Sequence, residues 1–162
     1  MVLQTLPDEV IQILIKRMSD EQSARYFYES AATWCRLNGY DNAAAHYSKE
    51  AADENAHYTR ISNFLADWNT YPAFPRIAPP PVFESLQEII EQTYSIEYDL
   101  GMAYSADAEP VEELSQMAYL FIQSFVQIQN DSIIEACNLV NKMQNYLKTD
   151  PGLVLFDNEV FE

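Results

Sequence analysis

Pro72, Pro75, Pro79, Pro80 and Pro81 fall within residues 69–82. No helix survives that density of proline, which removes backbone donors and favours extended, polyproline-like geometry. The segment cuts the chain into halves, and each half reads as a pair of long amphipathic helices. Neither pair alone can close a core, so the segment is not a linker between domains. It is too long for a tight helical hairpin, and in extended form it spans ~40 Å. That is the reach of a crossover returning to the far end of a bundle, which would set the second and third helices parallel. The expectation is one all-α domain over residues 1–162, a four-helix bundle with a long crossover between its second and third helices. Only three glycines and a hydrophobic fraction of 48% agree with an all-helical chain.

Apolar periodicity places the first helix over about residues 6–38, with Thr5 as an N-cap candidate, Pro7 in the first turn, and Asp8 and Glu9 at the positive end of the dipole. Gly39 ends it. The second helix covers about residues 42–68, with Asp41 or Asn42 as its cap, and the crossover about residues 69–83. Ser85 and Glu88 have the spacing of a capping box for a third helix over about residues 84–106. A turn near Ala106–Pro110 leads to a fourth helix over about residues 110–148, which Asp150, Pro151 and Gly152 stop.

Each helix carries a polar group at mid-length in its apolar seam. On the first, Glu21 lies between Leu14, Met18 and Tyr28, Ala32; it could pair with Arg25 one turn on, or reach solvent. On the second, Glu54 falls in register with Ala44, Tyr47, Ala51, Ile61 and Leu65, and His57 stands one turn later on the same face. On the third, Glu97 interrupts Leu86, Ile90, Thr93, Leu100 and Tyr104; on the fourth, Gln129 interrupts Ile122, Phe125, Ala136 and Met143. A Glu-x-x-His step alone is a weak signal. Four polar insertions at one depth are not independent accidents. Three carboxylates, an imidazole and an amide form an oxygen-rich set that suits iron or manganese better than structural zinc. Three buried carboxylates would repel one another unless cations join them. Glu50, one turn before Glu54, is either a second-tier ligand or a solvated edge residue. His46 reads as a surface or interface residue.

A formal net charge of −16 argues against nucleic acid and anionic membrane as partners. No basic segment followed by an apolar run opens the chain, and no apolar stretch is long enough to span a bilayer. Cys35 and Cys137 lie within helical patterns and read as reduced thiols of a cytoplasmic protein. No Ser-His-Asp or Cys-His arrangement and no phosphate-binding glycine loop is present.

Several blocks resemble one known family, the ferritins, most closely the non-haem bacterial and cyanobacterial type. They are Thr33-Trp34-Cys35, Ala43-Ala44-Ala45, Asp53-Glu54-Asn55-Ala56-His57, Phe83-Glu84-Ser85, Ile96-Glu97 and the tail from Gly152 to Glu159. The resemblance implies a short fifth helix over about residues 152–162 and an iron-storage subunit with a ferroxidase centre. Fe(II) and O2 or H2O2 would be its reactants, two irons would bind per subunit, and ferric mineral would collect in a cage of 24 like subunits. Carried over, Glu21 and His57 would ligate the first iron, Glu54 would bridge both, Glu97 would bind the second, and Gln129 would sit beside it. Tyr28 matches the family's tyrosine next to the centre, as a redox partner or as a hydrogen-bonded core residue. Asn55 stands where bacterioferritins place a haem-ligating methionine, so no haem is expected. Asp53 and Asp131 are what remains of a third iron site whose other carboxylates are replaced by Ile128 and Ser132. A non-catalytic subunit of a mixed cage would show a broken ligand set, and a di-iron enzyme acting on an organic substrate would want a second Glu-x-x-His step. The sequence has neither feature.

Overall fold

The computed structural model describes residues 1–148 and 152–161. Along them run α1 (Asp8–Leu37), α2 (Asp41–Asp67), α3 (Leu86–Leu114), α4 (Gln116–Tyr146) and α5 (Gly152–Val160). The anticipated stop at Asp150 and Pro151 lies outside the described residues. α1 packs along α2 and α3 along α4, the two pairs close into a four-helix bundle, and α5 rests on α2 and α4.

The core has two apolar compartments. One holds Phe27, Tyr28, Cys35, Tyr47, Ala51, Ile89, Ile90, Met143 and Phe156; the other holds Leu14, Met18, Ile61, Leu65, Leu100, Tyr104, Ile122 and Phe125. α1 and α4 run from the second compartment to the first, while α2 and α3 run from the first to the second. α2 and α3 are therefore parallel, which only the long crossover permits. Glu21, Glu54, Glu97 and Gln129 each sit where their helix passes between compartments, and all four are buried. The bundle is two apolar blocks separated by a polar layer.

Helix ends follow local chemistry. Gly39 adopts φ +80, and Tyr40 N–H reaches back to Cys35 O at 2.9 Å, closing α1 in a Schellman turn. Asn69 takes the same left-handed role after α2 at φ 56. Ser85 accepts from Glu88 N–H at 3.0 Å, and Glu88 accepts from Glu84 N–H at 2.8 Å, the two halves of a capping box shifted by one residue. Gly101 lets α4 approach α3 beside the polar layer: a Cβ there would lie 3.5 Å from Gln129 Cβ and 2.6 Å from Ile133 Cδ1.

Three sequence expectations need correction. Pro7, not Thr5, occupies the N-cap of α1; it supplies its carbonyl to Ile11 N–H at 3.1 Å and no side chain caps the end. Asp41 and Asn42 do not cap α2. The cap comes from α5, where buried Asp157 Oδ1 accepts from Ala43 N–H at 2.7 Å and Asp157 O accepts from Asn42 at 3.2 Å. The third helix does not turn at Ala106–Pro110. α3 runs through Pro110 to Leu114, because buried Val111 anchors its last turn in the second compartment and exposed Ala106 can give its freed carbonyl to water. Ser115 then ends α3 and caps α4, accepting from Ala118 N–H at 3.2 Å.

Asp157→Ala should lower unfolding stability by about 1–2 kcal/mol and speed amide exchange at Ala43. Asp157→Asn, which keeps an acceptor oxygen, should recover most of both. Unchanged exchange at Ala43 in the alanine variant would show the cap to be idle.

Candidate metal centre

The polar layer gathers the side chains of Glu21, Glu54, His57, Glu97 and Gln129 between the compartments. Ligand atoms of Glu21, Glu54 and His57 all lie within 4.8 Å of one another. His57 Nδ1 stands 3.2 Å from Glu54 Oε2 and 3.5 Å from Glu21 Oε2, and its ring meets Phe125 edge-on at 5.8 Å. His57 is the one member that reaches the surface, with its side chain 18% exposed. Arg25 turns away from Glu21 to Glu29 and Asn55, at 2.9 Å each, so the simple surface pairing is not made.

Glu97 lies outside that trio, and each of its oxygens accepts a hydrogen bond. Tyr28 O–H donates to Oε1, while Gln129 Nε2 donates to Oε2 at 2.7 Å. Glu21 receives one donor, Tyr104 O–H, on Oε1 at 2.5 Å. Glu21 Oε2 and Gln129 Oε1 are buried without a hydrogen-bond partner. Buried polar atoms are rarely left so, and two orphaned oxygens at one layer are what a cation site requires of its protein. The donor set fits a hard, oxygen-seeking divalent ion.

Electrostatics express the same crowding. Burial pushes Glu54 up to about 10, with ionised Glu21 beside it adding to the effect. Glu21 takes the negative charge: burial would raise it, but contacts with Glu54, His57 and Tyr104 outweigh that and leave it lowered. Burial would likewise pull His57 down, yet Glu21 and Glu54 push it up to about 10. Glu97 is raised by burial against the donors Tyr28 and Gln129. Burial and the neighbouring carboxylates keep both phenols protonated.

The second-tier candidates lie elsewhere. Asp53 and Asp131 are exposed. Glu50 is half-buried and groups with His46 and Glu135, ligand atoms within 4.8 Å. Burial first, then Glu135, Glu97 and Asp53, pushes Glu50 up to about 7, and burial pulls His46 down to about 4. His46 is thus not a plain surface residue; it packs against Tyr47 and Phe161 at 5.0 and 4.9 Å. In the sequence Tyr104 stands only as an apolar-seam residue of the third helix. The signal was present: Tyr104 follows Glu97 by two helical turns, as Tyr28 follows Glu21.

A four-helix bundle with one long crossover, crossed at mid-height by carboxylates and an imidazole, is a ferritin-like architecture. The ferritin family model, a ferritin-like domain, matches residues 11–145, and the chain belongs to the ferritin family. It is 27% identical over 158 residues to a probable bacterial non-heme ferritin-like protein of Haemophilus influenzae, covering 96% of this chain and 95% of that one. It is 24% identical over 164 residues to a bacterial non-heme ferritin of Escherichia coli, at 96% and 95% coverage. Among solved structures, an open pore ferritin from the hyperthermophilic archaeon Archaeoglobus fulgidus matches with a TM-score of 0.90 at 18% identity, over 97% of this chain and 98% of that chain.

At neutral pH Glu54 and His57, both near 10, hold protons that an incoming divalent cation must expel. Raising the pH removes that competition, so affinity should rise with pH, with about two protons released per centre filled. Anaerobic calorimetry with Co(II) in buffers of different ionisation enthalpy measures the release. Proton-neutral uptake would contradict this ionisation pattern.

Proposed function

We propose that this chain is an iron-storage ferritin subunit whose polar layer is a ferroxidase centre. Glu21 and His57 hold one ferrous ion, Glu54 bridges it to a second, and Glu97 with Gln129 receives the second. The observation that carries this reading is buried Glu21 Oε2, which accepts no hydrogen bond and faces the His57 imidazole at 3.5 Å, with Glu54 within ligand distance of both. A ferrous ion there would neutralise the carboxylates and displace the protons on Glu54 and His57. Anionic oxygen ligands favour Fe(III) over Fe(II), so binding already leans toward oxidation. The two Fe(II) give two electrons to O2, which with two protons becomes H2O2; peroxide can serve as oxidant in the same way. Fe(III) then leaves to hydrolyse and join a mineral.

Glu50, flanked by His46 and Glu135, is the group placed to receive iron in transit, and exposed Asp53 and Asp131 attract cations to that face. Tyr28 holds Glu97 in its closed position until the second ion competes for the carboxylate. Storage needs an enclosed space that one bundle lacks, so subunits assemble, and we take 24 as their number. Tyr71, Phe74 and Val82, exposed on the crossover, are apolar surface that such contacts would bury.

Anaerobic Fe(II) titration followed by oxygen in a stopped-flow absorbance experiment tests the centre. Wild type should bind two ferrous ions per subunit and oxidise them rapidly. Glu54→Ala should lose the fast phase, slowing by about a hundredfold or more. Equally slow oxidation by both proteins would move the chain to a non-catalytic structural role.

A further inference from the structure

Side chains on a helix lean toward its N-terminus. Tyr28 and Tyr104, each two turns beyond its own helix's carboxylate, therefore reach back to the polar layer. α1 and α3 run in opposite directions, so each phenol meets the carboxylate of the other helix: Tyr28 on Glu97, Tyr104 on Glu21. The exchange is symmetrical in position and unequal in outcome. Glu97 has a donor on each oxygen, whereas Glu21 Oε2 accepts no hydrogen bond and has the His57 Nδ1 ion-pair contact at 3.5 Å.

We propose that Tyr104 is a positioning residue that restricts Glu21 to one metal-binding oxygen, Oε2, and so keeps a coordination position of the first metal open for the oxidant. The proposal rests on reading Glu21, Glu54 and His57 as ligands of that metal. A carboxylate can hold a cation through one oxygen or through both. A phenol bonded to Oε1 at 2.5 Å within a low-dielectric layer takes one of that oxygen's lone pairs and fixes the rotation of the carboxylate, turning Oε2 and not Oε1 toward His57.

Tyr104 cannot swing aside. It is fully buried, and its ring stacks on Phe125 at 5.0 Å with an interplanar angle of 14°. The Arg17 guanidinium lies over the same ring, 6.0 Å from its centre. Arg17 is itself buried and pairs with Asp107, one turn beyond Tyr104, at 3.4 Å and with Asp20, the neighbour of Glu21, at 3.2 Å. One cation thus ties the backbone next to the donor to the backbone next to the acceptor. Buried Arg17, with the more exposed Asp20 and Asp107, forms an ion-pair cluster beside the hydroxyl that spans the segments carrying Glu21 and Tyr104.

The test uses the full-length protein, Co(II) as an oxygen-stable probe and azide as a reporter of the open position. Tyr104→Phe should bind as many Co(II) ions as wild type, with a weaker visible band as Glu21 closes its second oxygen onto the metal. Its azide affinity should fall about tenfold or more. A merely structural phenol would lower thermal stability and leave the azide response alone. An unchanged band and azide affinity in Tyr104→Phe would overturn the role of Tyr104 while leaving the metal centre standing. Failure of wild type to bind Co(II), or identical binding by Glu54→Ala, would overturn the centre and the proposal together. Wild-type crystals soaked in Zn(II) give a check independent of any variant: Glu21 bound through both oxygens, with Tyr104 detached, would also overturn it.

Discussion

Three carboxylates buried in one layer of a helical bundle dominate the energetics of this chain. Without compensation, a buried ionised carboxylate costs several kcal/mol, more than most single apolar contacts return. The chain meets that cost locally. Glu54 keeps a proton, His57 takes one, Tyr28 and Gln129 occupy Glu97, and Tyr104 occupies half of Glu21. Charge falls on Glu21, whose Oε2 accepts no hydrogen bond. The layer is compensated by its own side chains, save for Glu21 Oε2 and Gln129 Oε1, which accept no hydrogen bond.

That incompleteness is uneven, and the unevenness carries mechanism. The trio on α1 and α2 is assembled, with ligand atoms within 4.8 Å, whereas each oxygen of Glu97 already accepts a hydrogen bond. On the proposed reading, a first cation would displace protons, and a second would also compete with the donors Tyr28 and Gln129. Each phenol belongs to the compartment on its own side of the layer, Tyr28 to one and Tyr104 to the other. Packing on both sides therefore sets the readiness of the two halves, and a core substitution far from the layer can act through either ring.

Much of this was legible in the sequence because it follows from periodicity. The seam positions of Glu21, Glu54, Glu97 and Gln129 are helix arithmetic, and the proline segment dictated parallel second and third helices. Pro110 misled for a local reason. Proline disfavours helix at the preceding residue and removes one backbone bond, but the burial of Val111 at the bundle's end is a tertiary gain that local signals do not contain. The caps at Asp41 and Asn42 failed likewise, because the acceptor that α2 uses arrives from Asp157, far along the chain. Tyr104 was legible as a position and not as a role. Only the antiparallel run of α1 and α3 shows that its hydroxyl meets Glu21 and not a residue of its own helix.

Asp157 also explains why so short a helix as α5 matters to a centre it does not touch. Its carboxylate closes the N-terminus of α2, and Phe156 and Phe161 close the first compartment over Tyr47. Tyr47 stacks on Tyr28 at 5.9 Å with an interplanar angle of 15°, and Tyr28 holds Glu97. A continuous run of packed rings therefore joins α5 to the second half of the polar layer. The first half depends on the other compartment, through Phe125, Tyr104 and Arg17. Loosening α5 should disturb Glu97 before Glu21, since the two carboxylates take their order from opposite ends of the bundle.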